Sequence, residues 1–328
     1  VKAAITGWGS AAPEGVLTNA ELEARLDTND AWIRERTGIR ERRYAGPGES
    51  TSTFAITAGA AAIKQAGLAA DDIDLVIMAT TSPDQVIPHT GAFVSDGLGL
   101  RCGSFDLNAA CAGFVYELVI GTAMVSTGGP RNVLLIGGET LSRLVDPDDR
   151  GTTILFGDGA AAVVLSRDPS DHYGVLAYDL GCDGSLASLL EVPAGGTRRP
   201  ATHETIDAGE HFIKMNGPEV FRRAVRIIVD SAAVTLERAG VSVDDVKWVA
   251  PHQANIRIIE SACNRLGVPM ERTLLNIERY GNTSAASIPL VVAEAADEGL
   301  IDDGDLVLMS GFGAGMTWAS ALVRWGHV

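Results

Sequence analysis

Cys111, His252 and Asn282 are the side chains of this sequence whose types and settings could together do covalent chemistry. The cysteine lies in Asp106-Leu-Asn-Ala-Ala-Cys111-Ala-Gly113-Phe-Val-Tyr-Glu-Leu118, after a strand-like stretch and at the expected start of a long apolar helix. A helix start offers unpaired N–H groups and a partial positive charge, and both favour a thiolate. The histidine follows a buried strand in Val249-Ala-Pro-His252-Gln-Ala-Asn255, and the asparagine sits in Tyr280-Gly-Asn282-Thr-Ser-Ala-Ala-Ser287. Each has an ordinary explanation when taken alone. A free cysteine usually behaves as a small buried hydrophobe, a histidine beside a strand as a satisfied core group, and Gly-Asn as a turn. Their joint occurrence points to Cys111 as a nucleophile with two helpers.

Cysteine, histidine and asparagine admit two mechanisms. In a papain-like hydrolase the histidine is the base and the asparagine orients it, but that architecture carries its cysteine near the N-terminus. Alternatively, Cys111 takes an acyl group from one thioester while His252 and Asn282 donate hydrogen bonds to the carbonyl of another. Loss of CO2 from a malonyl thioester then gives an enolate that the two neutral donors stabilise, and the carbanion attacks the acyl-enzyme. Tetrahedral intermediates at Cys111 need a further oxyanion hole. Gly311-Phe-Gly313-Ala-Gly315 suits this, since small residues let backbone N–H groups approach, although by itself it also reads as a tight hairpin.

The elements that must bring these residues together occur twice. At an ungapped offset of 173, Ala66-Gly67-Leu-Ala-Ala-Asp71-Asp72-Ile-Asp-Leu-Val76 lies over Ala239-Gly240-Val-Ser-Val-Asp244-Asp245-Val-Lys-Trp-Val249. The same offset places Asn132-Val-Leu-Leu-Ile-Gly-Gly138 over Asp305-Leu-Val-Leu-Met-Ser-Gly311, so a duplicated βα unit is expected. The first half is expected to supply helix 51–66, strand 74–80, helix 111–126 and strands 132–137 and 158–165. The second is expected to supply helix 218–239, strand 246–250, helix 283–297 and strands 305–310 and 316–324. Alternating strands and helices indicate a mainly parallel sheet covered by helices. Residues 183–211 read as a long connecting loop, and the start from Val1 to Gly9 as strand and turn, without the features of a signal peptide. The offset carries Cys111 onto Ser284, two residues from Asn282. His252 ends a strand at the edge where α/β sheets bind ligands, so a pseudo-twofold would gather all three residues in one cleft.

Composition narrows the class of function. A chain of 328 residues with 46% hydrophobic and 21% charged residues is an ordinary globular protein of two domains or two lobes. No apolar run reaches membrane-spanning length, and a net charge of −16 argues against nucleic-acid binding. Cysteines 102, 111, 182 and 263 have neither CxxC nor metal spacing, which predicts free thiols in the cytoplasm and no metal. Against the acidic background, Trp32-Ile-Arg34-Glu-Arg36-Thr-Gly-Ile-Arg40-Glu-Arg42-Arg43 is a basic cluster, either a solvated face or a site for something anionic.

With these motifs the chain resembles the thiolase-like condensing enzymes, specifically the bacterial β-ketoacyl-[acyl-carrier-protein] synthase III group. The similarity runs nearly end to end, through Trp32-Ile-x-x-Arg36-Thr-Gly-Ile39, Asn108-Ala-Ala-Cys111-Ala-Gly113, Asp149-Arg150-Gly-Thr and Phe156-Gly-Asp-Gly159. It continues through His252-Gln-Ala-Asn-Ile-Arg257, Gly281-Asn282-Thr-Ser284 and Gly311-Phe-Gly-Ala-Gly315. The resemblance implies an α/β thiolase-like fold of two duplicated halves, 1–170 carrying the cysteine and 171–328 carrying the histidine and asparagine. Each half would hold a mixed five-stranded sheet, in a layered αβαβα arrangement. It implies a homodimer that condenses an acyl-CoA primer with malonyl-acyl carrier protein, with loss of CO2, and so starts fatty-acid synthesis without a permanently bound cofactor.

By the same resemblance Cys111 is acylated, His252 and Asn282 serve the malonyl step, and the backbone N–H groups of Cys111 and Ala314 form the oxyanion hole. Trp32, Arg36 and Arg150 would meet CoA at the mouth. Thr28, Gly217, Phe221 and Asn255 would line the pantetheine tunnel, and Arg257 would face the acidic carrier protein. The sequence departs from the pattern in two places. Ile87, in Pro83-Asp-Gln-Val-Ile87-Pro-His89, stands where many relatives place an aromatic residue that a dimer partner inserts into the acyl pocket, and Ala314 replaces a common glycine. A type III polyketide synthase-like enzyme, or a priming synthase or acyltransferase of secondary metabolism, would share the catalytic set. A catalytically silent scaffold of this fold is the reading from another class.

Overall fold

The computed structural model describes residues 2–326; Val1, in the expected first strand, lies outside them, as do His327 and Val328. Local sequence accounts for the long helices. Gly217–Ala239 starts where the Asn216 side chain accepts a hydrogen bond from the Glu219 amide, carries Pro218 in its first turn, and stops at the left-handed Gly240. Its buried residues Val220, Ala224, Ile228, Ala232 and Thr235 recur at helical spacing and form one apolar stripe. In the strands, Val133, Leu134, Leu135 and Ile136 are all fully buried, because helices cover both faces of the sheet.

The first sheet has five strands in the order Lys2–Ala11, Asp158–Asp168, Asn132–Thr140, Leu75–Ala79, Gly103–Leu107. The last three run parallel, whereas Asp158–Asp168 is antiparallel to both its neighbours. The second sheet repeats the pattern with four strands, Trp248–Pro251, Leu306–Gly313, Thr317–Arg324 and Gly174–Cys182. Its fifth position is reduced to one parallel bridge between Val249 and Thr273, so the expectation of five strands holds fully only in the first sheet. Helices Gly113–Ser126 and Ser287–Asp297 fill the space between the sheets, burying Phe114, Leu118, Ile288 and Val292 against Ile77, Leu135, Met309 and Ala321. Thr51–Gln65 covers the outer face of the first sheet, and Gly217–Ala239 with Ile256–Leu266 covers that of the second. The result is the αβαβα layering.

The expected helices and strands all form, within a few residues of their expected ends. The strand-like stretch before Cys111 is the strand Gly103–Leu107, for which no bounds were expected, while strand Gly174–Cys182 and helices Thr90–Gly97 and Ile256–Leu266 were not foreseen. Both strands lie at sheet edges, where half-exposed residues blur the alternation of apolar and polar positions. The segment 183–211 carries a short strand, Leu190–Glu191, paired with Lys214–Met215, and a short helix, His203–Asp207.

The repeat offset needs correction. Strand Leu75–Ala79 stands 173 residues before its counterpart, but register shifts this to 174 for the next strand, since Val133 pairs with Leu75 and Val307 with Trp248. The counterpart of Cys111 is therefore Ala285, not Ser284, and that of Asn282 is Asn108. The two turns meet the sheets symmetrically. A β-carbon on Gly137 would lie 2.3 Å from the Ala285 carbonyl oxygen, and one on Gly311 would lie 3.1 Å from that of Cys111.

Two measurements follow from this packing. Gly137→Ala drives a methyl group into a backbone oxygen and is expected to cost about 1–3 kcal/mol in urea unfolding. Glu117 is fully buried on the central helix, and burial pushes its carboxyl well above the usual range, opposed by the Ala79 and Ile136 backbone. A carboxyl raised in the folded state contributes fully below its unfolded pKa and loses that contribution as pH rises towards its folded value. Glu117→Gln is therefore expected to gain stability over the parent as urea melts move from acid to neutral pH, and a pH-independent difference would contradict this.

Candidate active site

Cys111 sits in a tight turn, Ala110–Ala112, that precedes the helix Gly113–Ser126. The turn requires a positive φ of 49° at Ala110, and the Asn108 side-chain oxygen holds it by accepting the Ala110 amide at 3.2 Å. The other half repeats this device: Ser284 has φ 48°, and the Asn282 side-chain oxygen accepts its amide at 2.9 Å. The amide nitrogen of Asn282 is thereby left to donate elsewhere. Its backbone is fixed by the Asn282 N–H to Leu155 carbonyl bond of 2.8 Å and the Gly157 N–H to Asn282 carbonyl bond of 3.0 Å. Gly313 lies so close to the nucleophile that a β-carbon there would come within 2.5 Å of the Cys111 nitrogen.

His252 ends the strand Trp248–Pro251, and its amide donates to the Ser310 carbonyl at 2.8 Å. Its Nδ1 lies 2.6 Å from Ser287 Oγ, and its ring meets Phe312 at a centroid distance of 5.6 Å and an angle of 67°. Gln253 is occupied structurally: its side-chain nitrogen donates to the Pro251 and Leu274 carbonyls, and its oxygen accepts the Asn276 amide. Asn255 caps the helix Ile256–Leu266 through a 2.9 Å bond from the Arg257 amide.

Cys111, His252 and Asn282 line one cavity of about 540 Å³, together with Trp32, Arg36, Gly217, Phe221, Asn255 and Arg257. Thr28 and Arg150 do not line it. Arg150 instead lies over Trp32 at 5.0 Å from the ring centre, and Arg36 lies at 4.9 Å. A second chamber of about 290 Å³ meets the first at Cys111 and is walled by Leu141, Leu144, Val192, Ile213 and Ala314. Phe156 and Leu190 line both chambers. Ile87 lines neither and is 84% exposed. The basic cluster divides: Arg36 faces the cavity, whereas Arg42 is buried, bonding the Leu17 and Ile154 carbonyls and the Asn19 side chain. Burial brings Arg42 down to about 10.

Burial also sets the charge state of the site. It holds the His252 imidazole down to about 3, so the ring is neutral. It pushes the Cys111 thiol up to about 12; the Ser284 hydroxyl opposes the rise and the Glu139 carboxylate adds to it. Burial thus opposes the thiolate expected of a helix start, because Cys111 is only 7% exposed. Glu139 itself was not anticipated. Its carboxylate accepts from the Thr81 and Ser82 amides and hydroxyls and, at 3.4 Å, from the Ala285 amide, tying the first sheet to the turn after Asn282. A charged residue inside the apolar run of Asn132–Thr140 was the available signal. Ser287 and Phe312 lie within the asparagine and glycine-rich motifs, where their types alone signal no role.

The raised thiol has a direct consequence. Iodoacetamide labelling of Cys111, followed by peptide mass mapping against exposed Cys182, is expected to accelerate roughly tenfold per pH unit with no plateau below about pH 10. A plateau near neutrality would mean that the helix start prevails.

Residues 105–184 match the family described as 3-oxoacyl-[acyl-carrier-protein (ACP)] synthase III, and residues 236–325 match its C-terminal counterpart. The chain is 52% identical to the beta-ketoacyl-[acyl-carrier-protein] synthase III of Roseiflexus castenholzii over 98% of both chains. Among solved structures, the 3-oxoacyl-[acyl-carrier-protein] synthase III of Aquifex aeolicus superposes with a TM-score of 0.91 at 42% identity, covering 98% of this chain and 100% of that one. That of Pseudomonas aeruginosa gives 0.92 at 41%, covering 100% and 99%. A cysteine, a histidine and an asparagine drawn from two duplicated halves into one cavity thus agree with full-length similarity, and the chain belongs to the 3-oxoacyl-[acyl-carrier-protein] synthase III family.

Proposed function

We infer that the protein condenses an acyl-CoA primer with malonyl-acyl carrier protein, releasing CO2 and CoA and giving a β-ketoacyl carrier protein, the first carbon–carbon bond of fatty-acid synthesis. The observation that carries this reading is the position of Cys111 between two chambers, one holding both donor side chains and opening towards arginines, the other apolar. In the first step the Cys111 sulfur attacks the primer's thioester carbonyl. The carbon–sulfur bond to CoA breaks, and CoA leaves as the thiol with the proton that Cys111 gives up. Because the thiol is neutral at rest, that proton moves with the attack rather than before it.

The malonyl thioester then enters the same cavity. Cleavage of its bond to the carboxylate releases CO2 and sends the electron pair into an enolate, whose oxygen receives hydrogen bonds from Asn282 and His252. Two neutral donors in a buried site favour this developing charge without neutralising the substrate carboxylate beforehand. The enolate carbon attacks the acyl-cysteine carbonyl, whose oxygen is held by the backbone N–H groups of Cys111 and Ala314. Collapse breaks the carbon–sulfur bond; the Cys111 sulfur leaves as a thiolate and takes up one proton from solvent, which restores the resting thiol.

Trp32, Arg36 and Arg150 supply a face and charges for the CoA nucleotide, and Gly217, Phe221 and Asn255 flank its pantetheine arm; we place Thr28 beside that arm near the mouth. Arg257 is exposed at the rim with Arg222, which suits docking of an acidic carrier protein on an otherwise acidic enzyme. We treat residues 1–170 and 171–328 as halves of one unit, since the sheets draw their strands from 2–168 and 174–324 respectively. A homodimer is favoured by the outermost position of strand Gly103–Leu107, and by Val86 and Ile87, both 84% exposed on one loop. Ile87 of each copy would then close the other's apolar chamber. Among the described residues no helix is long and apolar enough to cross a membrane. We place the reaction in the cytoplasm, where CoA thioesters and free thiols coexist.

Intact-mass analysis after exposure to a panel of acyl-CoAs is expected to show one acyl adduct, absent from Cys111→Ala and discharged by malonyl-carrier protein as a β-ketoacyl product. His252→Ala and Asn282→Ala should each still form the adduct but slow decarboxylation by about 10²–10³. No adduct with any primer would overturn the reading, and release only to alcohols or amines would assign a different acyltransferase.

A further inference from the structure

Ser287 is the first residue of the helix Ser287–Asp297 and is 1% exposed. Its Oγ lies 2.6 Å from His252 Nδ1 and accepts the Gln253 amide at 3.3 Å. A serine hydroxyl has a single hydrogen, and a neutral imidazole carries its proton on either Nδ1 or Nε2, so the serine's bonds decide which. Among the described residues, His252 Nδ1 is the one acceptor hydrogen-bonded to this hydroxyl. If Nδ1 carried the proton and donated it to Oγ, the serine hydrogen would be left without an acceptor in a buried site, which is unfavourable. The arrangement that satisfies every group has Gln253 N–H donating to Ser287 Oγ and Ser287 O–H donating to Nδ1.

We propose that Ser287 is a positioning residue that keeps His252 in the tautomer with its proton on Nε2, presenting a hydrogen-bond donor to the cavity. The proposal rests on the reading above in which His252 donates to the enolate oxygen. Three further contacts make the device rigid. Gln253 is pinned by the Pro251 and Leu274 carbonyls and the Asn276 amide, so the amide that orients Ser287 cannot drift. The His252 amide is tied to the Ser310 carbonyl. The Phe312 edge packs against the ring and opposes rotation about its bond to the backbone. His252 also does not compete for a proton from Cys111, because its cavity-facing nitrogen already carries one.

Nitrogen-15 NMR of the histidine-labelled full chain tests the tautomer, with His252 assigned by its loss in His252→Gln. The expected result is an unprotonated Nδ1 and a protonated Nε2 in the resting protein; a protonated Nδ1 would overturn the proposal. In Ser287→Ala, kcat for malonyl decarboxylation should fall about tenfold with KM little changed, while acylation of Cys111 stays within about twofold. Ser287→Thr, which keeps the hydroxyl, should restore most of the lost rate. Undiminished decarboxylation in folded Ser287→Ala would also overturn it. The NMR measurement uses the unmodified chain, so it decides the matter even if the alanine variant does not fold. It also stands apart from the condensation: failure of Cys111 to take any acyl group would sink the proposed reaction and leave the tautomer result intact.

Discussion

The structure depends on two tight turns pressed, backbone to backbone, against glycines of opposite halves. The Cys111 carbonyl lies over Gly311 of the second sheet, and the Ala285 carbonyl over Gly137 of the first. A side chain at Gly137 would collide with the Ala285 carbonyl and one at Gly311 would crowd that of Cys111, so each half contributes the surface on which the other's turn rests. The positive-φ residues Ala110 and Ser284, and the asparagines that hold them, belong to the same crossing. Duplication thus left two equivalent turns at one place, and the chemistry differs between them by side chain alone. One turn presents a sulfur at Cys111. The other presents a methyl at Ala285, and its asparagine, Asn282, braces the turn as Asn108 does while also lining the cavity.

Burial governs the electrostatics of this crossing. The cavity lining is mostly apolar, and the thiol and the imidazole both rest uncharged. A site of neutral donors favours a reaction whose charge appears transiently, on an enolate or a tetrahedral oxygen, over one that starts from an ion pair. Buried Glu139, whose carboxyl burial pushes above its ordinary value against the bonds from Ser82 and Thr81, stands behind the turns, engaged with amides and hydroxyls of Thr81 and Ser82 and with the Ala285 amide. It acts as a tie between halves and discourages early ionisation of the thiol.

Much of this was legible in the sequence, for reasons that differ by residue. Cys111, His252 and Asn282 stood out because their residue types carry chemistry and their neighbours mark element ends. The long helices were legible from period and caps. The pairing of Cys111 with Ser284 failed because a one-residue slip between adjacent strands does not disturb an ungapped match of apolar residues. Arg42 was grouped with surface arginines, since a charge run looks solvated until tertiary carbonyls are known to surround one member. The helix-start argument for a thiolate was sound locally. Burial outweighed it, and burial is a property of elements hundreds of residues apart.

Phe156 and Leu190 form part of the wall of both chambers that meet at Cys111. A partition shared by two compartments cannot be moved for one of them alone. Enlarging the apolar side to admit a bulkier primer shifts the surface against which the extender's thioester must lie beside His252 and Asn282. On the proposed reading, with the primer's acyl chain in the apolar chamber, choice of starter and speed of condensation are coupled, and the starter is most freely changed at Leu141, Leu144, Val192 and Ile213, which line that chamber only.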